Sequence, residues 1–168
     1  MRIFVLGAGA TGSLIARLLV RQGHQVTCGD RDPVRARRFL GRKSTIPIRP
    51  VNARNLWSIV KAARGSHLLV NAGPAMLNKI VLRAALRVRA HYLDMASHQT
   101  DQPFHAEQVR FHQQFLAKNR AAVINAGVAP GLTNLLVARS ADLLDELGTV
   151  QIRLYESTGS DEPISQWS

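Results

Sequence analysis

The chain has 168 residues, of which 46% are hydrophobic and 20% charged, the proportions of a soluble globular domain and not of a disordered segment. No apolar run approaches the roughly 18 residues that a membrane span requires, and the chain opens on a strand pattern instead of a signal peptide, so no membrane association and a cytoplasmic location are expected. A net charge of +11 raises nucleic acid as a partner, but the basic residues recur along the whole chain and aromatics for base stacking amount to 5%, which argues for a solvated arginine-rich surface instead.

In chain order, residues 2–6 read as a first strand, with Ile3-Phe4-Val5-Leu6 continuously apolar, running into Gly7-Ala8-Gly9-Ala10-Thr11-Gly12. A helix over about 10–22 follows, with Leu14, Ile15, Leu18 and Leu19 on one face and Gly23 closing it. The glycine pattern gains weight from its context. It follows a strand, opens a helix, and precedes Asp30, eighteen positions after Gly12 at the tip of a second strand over 25–29. Gly7 permits the tight turn, Gly9 leaves the backbone open to a pyrophosphate, and Gly12 lets the helix pack on the sheet. The helix start near Ala10 points unpaired N–H groups at the anion. Asp30 is placed to accept from the ribose hydroxyls, which favours NAD over NADP, whereas Arg31 or Arg35 just beyond would reach the adenosine end and admit NADP. Cys28, the single cysteine, lies in this second strand and reads as an inert buried thiol.

Asp32-Pro33 is an N-cap with proline at the first helical position, opening a helix that ends near Gly41. A short irregular third strand is expected within Thr45 to Val51, a helix from Asn52 to about Arg64, and an apolar strand from His67 to Val70. That strand leads into Asn71-Ala72-Gly73-Pro74, a small-residue turn facing the same crevice as the first glycine loop. A helix from about Ala75 to Val88, a strand at Tyr92-Leu93, a long amphipathic helix from about Pro103 to Asn119, and a sixth strand at Ala122 to Ile124 come next. Gly127-Val128-Ala129-Pro130-Gly131 opens a last helix through about Leu144. The alternation predicts an α/β fold, a Rossmann-type doubly wound parallel sheet of about six strands in the order 3-2-1-4-5-6. Residues Thr149 to Glu156 alternate apolar and polar, which implies a strand of a different sheet with one wet face.

Three blocks together resemble the amino-terminal half of the saccharopine dehydrogenase-like oxidoreductases: Val5 to Gly12; Val70 to Pro74 with His91-Tyr92-Leu93-Asp94; and Asn125-Ala126-Gly127-Val128-Ala129-Pro130-Gly131-Leu132-Thr133-Asn134. The resemblance covers essentially the whole chain, and the third block is its most specific part. It implies a nicotinamide-dependent enzyme that makes or breaks a C–N bond at an amino-acid carbon through an imine, with hydride passing to or from the nicotinamide. By position, Gly7, Gly9, Ala10, Thr11 and Gly12 would hold the pyrophosphate and Asp30 the ribose. Asn71, Ala72 and Gly73 would line the path to the nicotinamide, and Gly127 to Gly131, with Pro130 among them, would sit over its ring. The family builds its substrate pocket, and commonly its dimer, with a second α+β domain. The resemblance therefore divides the chain into a dinucleotide-binding domain over 1–147 and, over 148–168, the beginning of a truncated substrate and dimerisation domain, with an amino-acid-like substrate and a homodimer expected of the longer protein.

Candidates for the chemistry are few. Asp94 and His98 follow the fifth strand at the edge of the nucleotide loops, and an imidazole such as that of His98 could act in proton transfer; the plainer reading is a turn-capping Asp94 and a solvated His98. The histidines show no spacing with carboxylates that argues for a metal site. A competing function is a non-catalytic nucleotide-sensing module like the regulatory domains of potassium channels and transporters. Residues 1–40 resemble those domains, while the Asn71 and Gly127 blocks fit them poorly.

Overall fold

A computed structural model describes residues 1–98 and 106–153. Over them run β1 (Arg2–Leu6), α1 (Ala10–Arg21), β2 (Gln25–Asp30), α2 (Pro33–Leu40), β3 (Ile48–Pro50), α3 (Leu56–Ala63), β4 (Leu68–Asn71), α4 (Asn78–Val88), β5 (His91–Asp94), α5 (His112–Leu116), β6 (Ala122–Val123) and α6 (Leu132–Ala141). The six strands form one parallel sheet in the order β3-β2-β1-β4-β5-β6, as expected. Strand order reverses between β1 and β4, and a ligand crevice opens outside the carboxyl ends at such a switch point.

Successive side chains of a strand point to opposite faces, and β1 divides the core accordingly. Ile3 and Val5 pack with Val26, Cys28, Val70, Ala16, Ala36 and Leu40 on one face. Phe4 and Leu6 pack with Ile59, Leu69, Val81, Leu82, Tyr92, Phe111 and Phe115 on the other. Burial of each large side chain contributes about 1.5–3 kcal/mol, and covering both faces is why these strands read as unbroken apolar runs.

Helix starts follow local chemistry. Asp32 Oδ1 accepts from the Val34 and Arg35 N–H groups at 3.0 Å each, with Pro33 next to it in the first turn. Asn55 Oδ1 accepts from Trp57 and Ser58, so α3 begins at Leu56 and not at Asn52 as the periodicity suggested. The apolar stripe of α1 also differs from expectation: Ile15 and Leu19 pack inward, but Leu14 and Leu18 are exposed. The helix lies so close to the sheet that the small residues Gly12, Ser13 and Ala16 form the contact, and Ser13 Oγ donates to the Ala8 carbonyl at 2.9 Å.

Of the helix expected over Pro103 to Asn119, residues 103–105 lie outside the described residues, and the remainder is a 3-10 turn (Glu107–Phe111) followed by the single short α5. Glu107 and Gln108 are buried there against polar partners, so the outer face of an amphipathic helix is turned inward at that point. Residues 149–153 form no strand and are exposed, and the rest of the expected Thr149 to Glu156 strand lies outside the described residues. A strand needs a ladder partner, and none pairs with this segment among the described residues.

Cys28 is fully buried, and burial first, then the Asp30 charge, push its thiol up to about 11 against a smaller opposing effect of Arg37. The thiolate fraction at neutral pH is then on the order of 10⁻⁴. We expect a thiol reagent to leave the native chain unmodified and to label it stoichiometrically in denaturant; rapid labelling of the native chain would contradict this packing.

Candidate dinucleotide site

The glycine loop separates what the protein's own packing requires from what it does not. Gly7 has φ +89, donates its N–H to the Gly29 carbonyl at 2.8 Å, and has no room for a Cβ, which would meet the Ala72 carbonyl oxygen at 2.9 Å. A Cβ on Gly12 would overlap the Gly7 carbonyl. Gly9 is different: its backbone is extended, and a Cβ there would meet nothing within 4 Å. The space above Gly9 is open. Gly9 is also the N-cap of α1 and has no side chain to accept from the first helical turn, which carries no acidic residue either, so the N–H groups at Ala10, Thr11 and Gly12 keep the unpaired state intrinsic to a helix start. Open space over unpaired donors at a positive helix end fits a pyrophosphate.

Asp30 sits half-buried at the tip of β2. Its Oδ2 accepts from the Ala8 N–H at 2.8 Å and its Oδ1 from Asp32 N–H at 3.0 Å, so the carboxylate braces the glycine loop as well as ending the strand. A carboxylate offers about four acceptor positions, which leaves room for ribose hydroxyls. Arg31, next in the chain, is exposed. Arg35 lies over the Phe39 ring at 5.7 Å, and Arg37 is a structural tie, donating to the Ser44 and Ile46 carbonyls. The basic run is thus divided between loop anchoring and open surface.

On the other side of the switch point, Ala72 N–H donates to the Leu6 carbonyl at 2.8 Å and Gly73 N–H to Asn71 Oδ1 at 3.1 Å, bringing the Asn71 to Gly73 turn against the first loop. Asn71 itself is buried. Its Nδ2 donates to Asn78 Oδ1 at 2.8 Å, and Asn78 Nδ2 donates to the Ala96 carbonyl at 2.7 Å. Asp94 is 1% exposed and receives three donors: Asn125 N–H on Oδ1 at 2.8 Å, and the Tyr92 hydroxyl at 2.8 Å and Gln108 Nε2 at 3.1 Å on Oδ2. Burial raises its carboxyl above the ordinary range, opposed by those three donors. Burial and the adjacent Asp94 push the Tyr92 phenol far up. Glu107, beside them, is paired with Lys79 at 2.7 Å. His98, four residues after β5, is exposed.

The third loop leaves β6 through Asn125, in the left-handed region at φ +57. A Cβ on Gly127 would overlap the Met95 carbonyl, so this loop touches the one after β5 backbone to backbone. Gly131 has φ +133 and its N–H donates to Asn134 Oδ1 at 2.9 Å; Pro130 is exposed. The glycine loop, Asn71 to Gly73 and the start of the Gly127 to Gly131 loop all leave carboxyl ends of parallel strands. Asn78, Ser97 and Gln108 had no signal in the sequence: they meet Asp94 or its neighbours only through the fold. Among the described residues no group of His, Cys, Asp and Glu is arranged to hold a metal, and no helix is long and apolar enough to cross a membrane.

An open parallel sheet with a glycine-rich first loop and an acidic second strand tip defines a Rossmann domain of the dinucleotide-binding class. The chain belongs to the saccharopine dehydrogenase NADP-binding domain family, whose model matches residues 3–129. It is similar to the carboxynorspermidine synthase of Vibrio cholerae serotype O1, with 24% identity over 176 residues covering 90% of this chain and 42% of that protein. The chain thus spans less than half the length of this curated relative. Apo saccharopine dehydrogenase (L-Glu forming) from Saccharomyces cerevisiae shares the fold with a TM-score of 0.72 at 13% identity, over 84% of this chain and 31% of the other. UDP-N-acetylglucosamine 3-dehydrogenase from Acidithiobacillus ferrooxidans shares it with a TM-score of 0.60 at 15% identity, over 84% of this chain and 41% of the other.

Proposed function

We propose that the chain is the NAD(P)-binding part of an oxidoreductase that acts on the C–N bond of an amino-acid-derived substrate by hydride transfer. The observation that carries this reading is Gly9, a glycine with open space above it at a helix start whose donors are unpaired. In this reading Gly7, Gly9, Ala10, Thr11 and Gly12 bind the pyrophosphate, and Asp30 orients the ribose while bracing Ala8. Asn71, Ala72 and Gly73 border the nicotinamide from one side, and Gly127, Pro130 and Gly131 from the other. A bound nicotinamide supplies or accepts the hydride. His98, exposed at the same sheet edge, is the candidate for proton transfer.

Substrate recognition belongs to a second unit beginning near residue 148. Leu132, Leu135 and Leu136 of α6 are 51%, 70% and 58% exposed, an apolar surface that supports a domain or a second protomer packing there.

Titration of this chain with NADH and NADPH, followed by reduced-nicotinamide fluorescence, tests the binding reading. Saturable binding of at least one is expected; absence of binding by both reduced forms in this titration, and by NAD and NADP in calorimetry, overturns it. Within that experiment Arg31→Glu is expected to weaken NADPH by about tenfold and to leave NADH within about twofold, since the side chain is exposed and acts only on a 2′-phosphate. Equal losses for both would remove Arg31 from the adenosine end.

A further inference from the structure

We propose that buried Asp94 is a positioning residue that clamps together the loops on the nicotinamide side of the crevice; this rests on the dinucleotide reading above. The carboxylate stands at the carboxyl end of β5, between the ends of β4 and β6. Towards β6, Asp94 Oδ1 accepts from Asn125 N–H at 2.8 Å and the Asp94 carbonyl accepts from Ala126 N–H at 2.9 Å. Those two bonds hold Asn125 in its left-handed conformation, φ +57, at the point where the chain departs for Gly127 to Gly131. Ser97 Oγ, 2.7 Å from Asn125 Oδ1 and 3.2 Å from Gln108 Oε1, ties the same residue to the loop after β5.

Towards β4 the connection runs through Tyr92 and Gln108. The Tyr92 hydroxyl lies 2.8 Å from Asp94 Oδ2 and 3.2 Å from Asn78 Oδ1; its one proton goes to the carboxylate, so it meets Asn78 by packing. The hydrogen-bonded route is Gln108 Nε2, which donates to Asp94 Oδ2 at 3.1 Å and lies 3.4 Å from the Ala96 carbonyl that Asn78 also holds. Asn78 then accepts from Asn71 Nδ2 and donates to the Ala96 carbonyl, while Asn71 Oδ1 holds the Gly73 N–H. Every buried side-chain nitrogen and oxygen among the described residues has a partner. A buried carboxylate is costly unless its acceptor positions are filled; of the three donors that fill these, Asn125 leads into the Gly127 to Gly131 loop, while Tyr92 of β5 and Gln108 of the Glu107–Phe111 turn tie the carboxylate to the core beneath it. The β2 tip and α2, on the adenosine side, take no part in these bonds.

The replacement of Asp94 separates positioning from chemistry. In Asp94→Asn the amide oxygen keeps the Asn125 N–H. The amide nitrogen faces Tyr92, whose hydroxyl then accepts, and Gln108, whose side-chain amide turns over to accept as well, so every partner is satisfied without a charge. Asp94→Ala leaves the Asn125 N–H without an acceptor and leaves Tyr92 and Gln108 only their longer contacts, to Asn78 Oδ1 at 3.2 Å and to the Ala96 carbonyl at 3.4 Å. The test compares NADH and NADPH with ADP-ribose and its 2′-phosphate, which lack the nicotinamide, on this chain and its variants by calorimetry. Asp94→Ala is expected to weaken the reduced dinucleotides by about tenfold or more and the ADP-ribose compounds by no more than about twofold, and Asp94→Asn to restore dinucleotide binding to within about threefold of the parent. Tyr92→Phe, which removes one donor and keeps the shape of the core, is expected to show the same nicotinamide-selective loss at several-fold and serves where Asp94→Ala does not fold. Equal losses for dinucleotide and ADP-ribose, or no loss in either variant, overturn the clamp. A parent chain that binds neither class overturns the dinucleotide reading itself.

Discussion

A Gly9→Val chain is expected to unfold at the parent temperature and to lose dinucleotide affinity by about a hundredfold or more, whereas Gly12→Ala is expected to lower the unfolding temperature by several degrees. The contrast follows from space. A side chain at Gly9 meets no protein atom within 4 Å, and the backbone there, φ −73 and ψ −161, suits any residue. What it fills is the seat proposed for the pyrophosphate. A Cβ at Gly12 overlaps the Gly7 carbonyl and meets the Ala72 Cβ at 3.0 Å, so α1 must move off the sheet, at a cost of about 1–3 kcal/mol. Thermal unfolding and a fluorescence titration on the two variants check both halves. Intact binding in Gly9→Val would place the pyrophosphate elsewhere.

Asp30→Ala carries the second large effect. The parent carboxylate holds the Ala8 and Asp32 N–H groups at 2.8 and 3.0 Å, and losing charge-assisted bonds of this kind costs about 1.5–3 kcal/mol. The glycine loop then loses its brace. NADH and NADPH are both expected to bind more weakly, but NADH more so, because the ribose acceptor disappears for both while a repulsive charge near the 2′-phosphate disappears for NADPH alone. The NADPH-to-NADH affinity ratio therefore rises. Unchanged binding of both, measured by the same titration, would show that Asp30 serves the loop and not the ligand.

The two predictions also divide the glycines by cause. Gly7 and Gly12 are demanded by the turn and by helix packing, so they recur wherever a strand, tight turn and close helix are built. Gly9 and Asp30 carry the ligand argument. In the proposed reading Asp30 serves twice: its loop bonds and its ribose role use different acceptor positions of one carboxylate.

Much of the architecture was legible from local pattern. Continuous apolar strands, Asp32-Pro33 at a helix start, Gly23 and Gly41 at helix ends, and a glycine loop between strand and helix depend on interactions a few residues long. They led to the sheet order that the structure shows. Two features escaped because the sequence pattern does not register distance of approach. Periodicity placed Leu14 and Leu18 on the buried face of α1, but close packing at Gly12 and Ala16 turned them to solvent. Inward-facing Glu107 and Gln108 likewise look like the polar side of a helix until their partners Lys79 and Asp94 are in place.

The sequence alone settled the class of fold and the place of the glycine loop between β1 and α1, because turn sterics, capping and apolar runs are encoded in neighbouring residues. Only the tertiary structure decided that Asp94 is an interior hydrogen-bond hub and that Asn71, Asn78, Tyr92, Gln108 and Asn125 join it, since those residues are separated by up to 31 positions between Asp94 and Asn125. The energy of such a buried network depends on contacts made when β4, β5 and β6 come to lie side by side.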